Sequence, residues 1–181
     1  PRVQIEIGCR SLREPFENRP ILSMVDELYP KSNFAQAAIE IPTVLPERTF
    51  LEKIFLLHEE FQRPKDKIRV DRLSRHLYDI FQMSKKGHGQ KAIQNMDLYG
   101  TIVKHRHSFT RLGGVDYNLH QPQTIDFIPP EYLHRAWESD YIKMQEQMIY
   151  GDSPKFSELM EYLSMLRYNI NTIPWKMDCR F

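Results

Sequence analysis

From Pro46 to the end of the chain, apolar residues return every three or four positions, and this periodicity limits the fold more than any other feature. Phe50, Ile54, Leu57 and Phe61 recur at helical spacing, with Leu51 and Phe55 widening the stripe. A proline suits the first turn of such a helix, where its missing N–H has no partner to lose. Pro46 therefore marks the start, and Pro64 the stop. Charged residues 65–69 lead to a second helix over about 71–83, whose buried face is Leu73, Leu77, Ile80 and Phe81. Lys85-Lys86-Gly87-His88-Gly89 interrupts the pattern, and a helix of weaker periodicity is expected over about 90–110. Gly113-Gly114 through Gln123 reads as a loop, and Pro129-Pro130 open another helix, striped by Leu133, Trp137, Tyr141, Met144 and Met148. Gly151 closes it. Ser153-Pro154 cap the last helix, in which Phe156, Leu159, Leu163, Leu166, Ile170 and Ile173 keep the period.

Before Pro46 the pattern differs. Val3, Ile5 and Ile7 alternate with Gln4 and Glu6, which is the period of a strand over 3–9. Glu14-Pro15 and Arg19-Pro20 punctuate a loop, and Ala37 to Val44 is extended again, with Pro42 putting its end at a sheet edge. A strand pattern that begins so soon after Pro1 suggests that an N-terminal portion is missing, leaving residues 3–9 at a sheet edge with some partner strands absent. The expected class is α+β: strands of a sheet in 1–45, then a mainly helical domain in 46–181.

Composition narrows the function. Hydrophobic residues at 41% and aromatics at 12% supply a core, so the chain is not of the disordered class. A formal net charge of +1 gives no overall attraction to nucleic acid, and any basic surface must be local. The two cysteines, Cys9 and Cys179, make no disulfide framework and fit no metal-ligand spacing, which points to a reducing cytoplasm. No apolar run approaches the roughly 18–20 residues of a membrane span, and no signal peptide opens the chain.

Three places hold residues suited to chemistry. Lys53 lies on the flank of its apolar stripe, so its stem packs while its ammonium reaches the rim of a cleft, where it would suit a phosphate. The plain alternative is a snorkelling lysine on an amphipathic helix. Arg72, Arg75, His76 and Asp79 fall at i, i+3, i+4 and i+7, which gathers them on one helix face opposite the leucines. Such a stripe can orient a phosphate-binding arginine beside a carboxylate, or can be an ordinary surface ion-pair face. Glu6, between apolar neighbours on a strand, could serve as a metal or base carboxylate or simply face solvent, and Glu40 in Ile39-Glu40-Ile41 competes for that role. Lys104, Arg106 and Arg111, with Phe109 among them, form a local basic patch able to meet RNA phosphates; a solvated helix face is the other reading. His105 and His107 lack a third ligand at metal spacing. No Walker loop, Rossmann fingerprint or nucleophile elbow occurs.

The order of these pieces resembles the AbiEii/AbiGii family of nucleotidyltransferase toxins. Val3-Gln-Ile-Glu-Ile-Gly-Cys-Arg-Ser11 is similar to the family's strand segment. Pro46-Glu-Arg-Thr-Phe-Leu-Glu-Lys-Ile54 with Leu56-Leu-His-Glu-Glu60 is similar to its lysine motif, and Arg72-Leu-Ser-Arg-His-Leu-Tyr-Asp-Ile80 to its arginine–aspartate motif. The tail from Phe127-Ile-Pro-Pro130 through Asp140-Tyr141 and Met148-Ile-Tyr-Gly151 resembles its helical end. The resemblance implies transfer of a nucleoside monophosphate from an NTP, with Mg2+, to an RNA acceptor of the tRNA class, in a toxin–antitoxin or abortive-infection system with a cognate antitoxin or transcriptional regulator. It implies that Lys53 holds the triphosphate with Arg72 and Arg75, that Glu6 aids the metal or acceptor hydroxyl, and that Asp79 completes the catalytic set. One departure stands out: the family's small-residue turn followed by an acidic, metal-binding pair is absent from these residues. On that reading the chain alone binds without catalysing. The rival from another class is a non-enzymatic helical module that docks an antitoxin or regulator.

Overall fold

A computed structural model describes residues 15–181, so the strand expected at 3–9, with Glu6, lies outside the described residues. The chain divides into two compact units, Pro1–Leu45 and Pro46–Phe181.

In the first unit, β1 (Phe16–Ile21) pairs antiparallel with β2 (Ile39–Val44), Phe16 opposite Val44 and Ile21 opposite Ile39. A short helix, α1 (Met24–Leu28), sits in the connection, its first turn capped by the Ser23 hydroxyl accepting from Asp26 N at 3.1 Å. The loop expected around Arg19-Pro20 is thus a strand. The prolines mislead because the ladder leaves room for them. Leu45 N donates to Pro15 O at 3.2 Å, so 15/45 is a hydrogen-bonded pair. By alternation Asn18/Pro42 and Pro20/Glu40 are non-hydrogen-bonded pairs, where a missing N–H breaks no rung. None of the described residues of this unit is buried.

The second unit is helical: α2 (Pro46–Phe61), α3 (Ser74–Lys85), α4 (His88–Gln94), α5 (Met96–His105), α6 (His134–Met148) and α7 (Phe156–Asn171). The stripe read on α2 is its core face, with Phe50, Leu51, Ile54, Phe55 and Leu57 all nearly inaccessible. Each such side chain contributes about 1.5–3 kcal/mol on burial. Helix α2 packs on α3, α4 and α5, and α3 packs in turn on α4, α6 and α7, which puts these two helices at the centre.

The Gly87-His88-Gly89 break is a packing junction. Gly87 takes a left-handed φ of 81° between α3 and α4. A Cβ on Gly89 would meet the Phe50 ring at 2.8 Å, so only glycine lets α4 approach α2 this closely. The single helix expected over 90–110 is broken at Asn95, whose side-chain oxygen accepts from Leu98 N at 3.0 Å and starts α5 anew. A π-helical turn, Arg106–Thr110, follows, ended by Arg111 at φ 37°. Ser153 does not cap α7: its hydroxyl accepts from Gln145, and Glu158 receives the Lys155 N–H at the helix start instead. Met148, expected in a buried stripe, is 52% exposed at the end of α6. Among the described residues no helix is long and apolar enough to cross a membrane.

Candidate functional site

Consecutive helices α2 and α3, packed side by side, bring Lys53 and Asp79 together. Lys53 Nζ lies 2.7 Å from Asp79 Oδ2, with the two side chains 21% and 41% exposed. The lysine stem is thus packed and its ammonium is held at the rim, as a flank position on an amphipathic helix dictates. The same nitrogen is 3.5 Å from His76 Nδ1. Burial first, then the Lys53 and Arg75 cations, push His76 down to about 4. The imidazole is therefore neutral near pH 7 and can present a lone pair to the ammonium. Arg75 leans into the same region half-buried, its Nε enclosed without a protein hydrogen bond. A cation presented by a neighbouring carboxylate, with a second cation alongside, can receive a phosphate.

Arg72 is the exception. The sequence puts it on the α3 face, yet the helix begins at Ser74 and Arg72 stands in the preceding turn at φ 59°. The cause is Asp140 on α6. Its Oδ1 accepts from Arg72 N at 2.7 Å and its Oδ2 from Ser74 N at 3.0 Å. This 9%-exposed carboxylate satisfies N–H groups at the start of α3 and so fixes the origin of the helix that carries Arg75, His76 and Asp79. Nothing in the local sequence pairs residue 72 with residue 140.

The basic patch is also rearranged. Lys104 and Arg111 are exposed, but Arg106 is only 9% exposed and belongs to the interior. Its Nε and Nη2 each donate to Glu59 at 2.6 Å, and Nη1 donates to Glu52 at 2.6 Å. Arg106 is thus no part of a surface that meets RNA; its guanidinium is spent neutralising two carboxylates. Burial alone would raise Glu59, but the Arg106 and His120 hydrogen bonds overcome it and hold the carboxyl below its usual range. Beside this network, the His58 and His120 rings meet edge to face at 4.8 Å, and His58 Nδ1 accepts from Asp126 N at 3.0 Å. The sequence does carry a trace of this. Arg106 follows Leu98 and Ile102 at four-residue steps, and Glu59 follows Phe55 by four, so both continue apolar stripes.

Glu40 is exposed on β2, in the first unit. His105 stacks on Phe109, and His107 lies against Tyr117 and Phe181. Among the described residues no group of three His, Cys, Asp or Glu side chains is placed to hold a metal ion.

In chemical terms, a lysine clasped by a carboxylate between two central helices is a group able to hold an anion. The comparison with known families makes the class definite. The model of the family described as nucleotidyl transferase AbiEii toxin, type IV TA system, matches residues 1–162, and the chain belongs to this family. No curated protein and no solved structure matches it.

Proposed function

We propose that the helical unit handles the NTP in a nucleotidyltransferase toxin that transfers a nucleoside monophosphate to an RNA acceptor of the tRNA class. The observation that carries this reading is the Lys53–Asp79 pair at 2.7 Å, half-open to solvent, with a neutral His76 beside it. Asp79 keeps the ammonium extended toward the rim. An incoming triphosphate then takes up the cation, with Arg75 adding charge. Phosphoryl-type transfer rests mostly on positioning and charge neutralisation, so a lysine and an arginine so arranged supply what this part of the protein must.

Arg72, displaced from the α3 face, contributes to phosphate binding only through its turn position. Glu6 is retained as the carboxylate for metal or acceptor. Mg2+ is the metal proposed for the reaction, where it neutralises phosphate charge. Asp79 is committed to Lys53, and no metal-binding group of three forms among the described residues. Membership of a toxin–antitoxin family implies an antitoxin partner. Two cysteines in the whole chain fit action in a reducing cytoplasm.

The test is incorporation of labelled NTP into RNA by the natural full-length protein, with magnesium or manganese. Lys53→Ala should melt within about 0.5 kcal/mol of the parent, as partly exposed helix positions do. It should lose labelling by on the order of a hundredfold or more. Parental labelling by a normally folded variant would remove Lys53 from the site. No labelling by the parent with any NTP would favour the helical docking module instead.

A further inference from the structure

A second recess lies further along α3, on another side of that helix from the Lys53–Asp79 pair. It is a half-open groove of about 460 Å³ between the end of α3, α4 and α7. Its apolar wall is Ile93, Leu166 and Ile173, with Met165 at the lip. Tyr162 closes one end, its hydroxyl donating to Ser84 Oγ at 3.0 Å. Gly87 and three carboxamides, Gln90, Gln94 and Asn169, complete the lining. No charged side chain lines it.

The carboxamides set this groove apart. Several other carboxamides of the helical unit work as staples. Gln121 and Gln123 hold the backbone of the C-terminal segment at Met177, Ile173 and Trp175, and Asn171 donates to Pro122 O and Ile125 O. Gln90, Gln94 and Asn169 have no side-chain hydrogen bond to any described residue. Each offers a donor and an acceptor pointing the same way, the geometry that pairs with a base edge. The aliphatic wall of Ile93, Leu166 and Ile173 beside them can cover the apolar face of a ring. Exposed Lys86 and Lys91 adjoin the lining residues Gly87 and Gln90 in the chain and supply positive charge nearby, while the lining itself is neutral. A neutral, edge-polar ring joined to an anionic backbone matches that distribution, and neither a peptide carboxylate nor a free phosphate does.

We propose that this groove takes one unstacked base of a single-stranded RNA, with Lys86 and Lys91 on the flanking phosphates. The inference deepens the proposed function, because it rests on RNA being the acceptor. Its test is independent of catalysis.

Binding of the full-length protein to a fluorescein-labelled, unstructured RNA dodecamer is followed by anisotropy, with ATP alone as a second probe. The double variant Gln90→Ala/Asn169→Ala replaces exposed, unpartnered side chains, so its melting temperature should equal the parent's. Dodecamer affinity should fall about tenfold or more, by the discrimination that amide–base pairs provide. Lys86→Glu should weaken binding further and flatten its salt dependence. ATP affinity should be unchanged in both variants. Equal dodecamer affinity in the parent and the double variant overturns the proposal. So does a parent that binds no dodecamer, or loss of ATP binding instead of RNA binding, which would make the groove a mononucleotide site. If the variants lose the dodecamer while the parent labels no RNA, the groove stands and the transfer reading fails. If the parent labels RNA and the variants bind it normally, the reverse holds.

Discussion

Helix α2 carries two charge clusters, one around Lys53 and one around Glu59. They use the same chemistry, a cation set against carboxylate and imidazole, in opposite surroundings. At Lys53 the partners are 21% and 41% exposed, water reaches both, and the pair can exchange partners at little cost. At Glu59 the carboxylate is wholly buried, the Arg106 side chain is 11% exposed, and every partner comes from within the protein. The open cluster can therefore serve a ligand. The closed one locks α2 to the α5 end, and breaking it leaves a carboxylate in the interior without its cation. The contrast shows that ion pairing in a helix motif is not itself the mark of a site; access is.

That contrast is broken or sharpened first by Arg106→Ala. Glu59 and Glu52 would lose the guanidinium that neutralises them, and removing one partner of a buried pair costs about 3–5 kcal/mol. For a chain of this size the melting temperature should fall by about 10 °C. Arg106→Met combined with Glu59→Leu should recover most of the loss, because an apolar replacement of the whole pair leaves less charge stranded. A melting temperature within a degree of the parent for Arg106→Ala would place the network on the surface energetically, whatever its geometry.

A pH titration probes the same interior next. His58 is 4% exposed and is pushed down to about 4 by burial, then by His120, while Asp126 and Glu59 pull the other way. Its folded value lies below the unfolded one, so the unfolded chain takes up a proton first as pH falls. Stability is complete above about pH 6.5 and declines toward pH 4. Between pH 7.5 and 5 the His58 share should be about 2 kcal/mol. Urea midpoints at those two pH values measure it, and His58→Gln, which keeps an acceptor for Asp126 N, should lose that share of the slope. An unchanged slope in the variant would mean that His58 titrates alike folded and unfolded.

These two regions were not equally legible in the sequence. Helix α2 and its stripe are readable because helical period and proline punctuation are local signals, and the Lys53–Asp79 approach follows from two consecutive helices with a short connection. The Glu59–Arg106 lock joins residues 47 positions apart, and a charge within a charged segment reads as surface unless the apolar stripe it continues is followed past its last leucine. Asp140 is hidden for the same reason: it acts on backbone N–H groups, which leave no sequence pattern at Arg72 and Ser74. Strand β1 escaped because its register tolerates the prolines that otherwise signal a loop.

The smallest expected effect lies at the open cluster. A double-mutant cycle of Lys53→Ala and Asp79→Ala should give a stability coupling of only about 0.2–1 kcal/mol, shrinking as salt is added. The pair's presence should be plain instead in the titration of His76. Burial is the leading cause that holds this imidazole at about 4, with the Lys53 cation next. Removing the ammonium leaves Asp79 pulling the other way without opposition from Nζ, so the folded pKa must rise in Lys53→Ala. It must also stay below the ordinary histidine value, because the enclosure around the ring and the Arg75 cation remain. The His76 Cε1–H resonance, followed by NMR from pH 3.5 to 7.5 in parent and variant, reads this directly. A midpoint that stays at about 4 in Lys53→Ala would show that the ammonium does not rest beside the ring in solution. The Lys53–Asp79–His76 arrangement, and with it the geometric basis for Lys53 as the phosphate cation, would then fail while the buried network stood untouched.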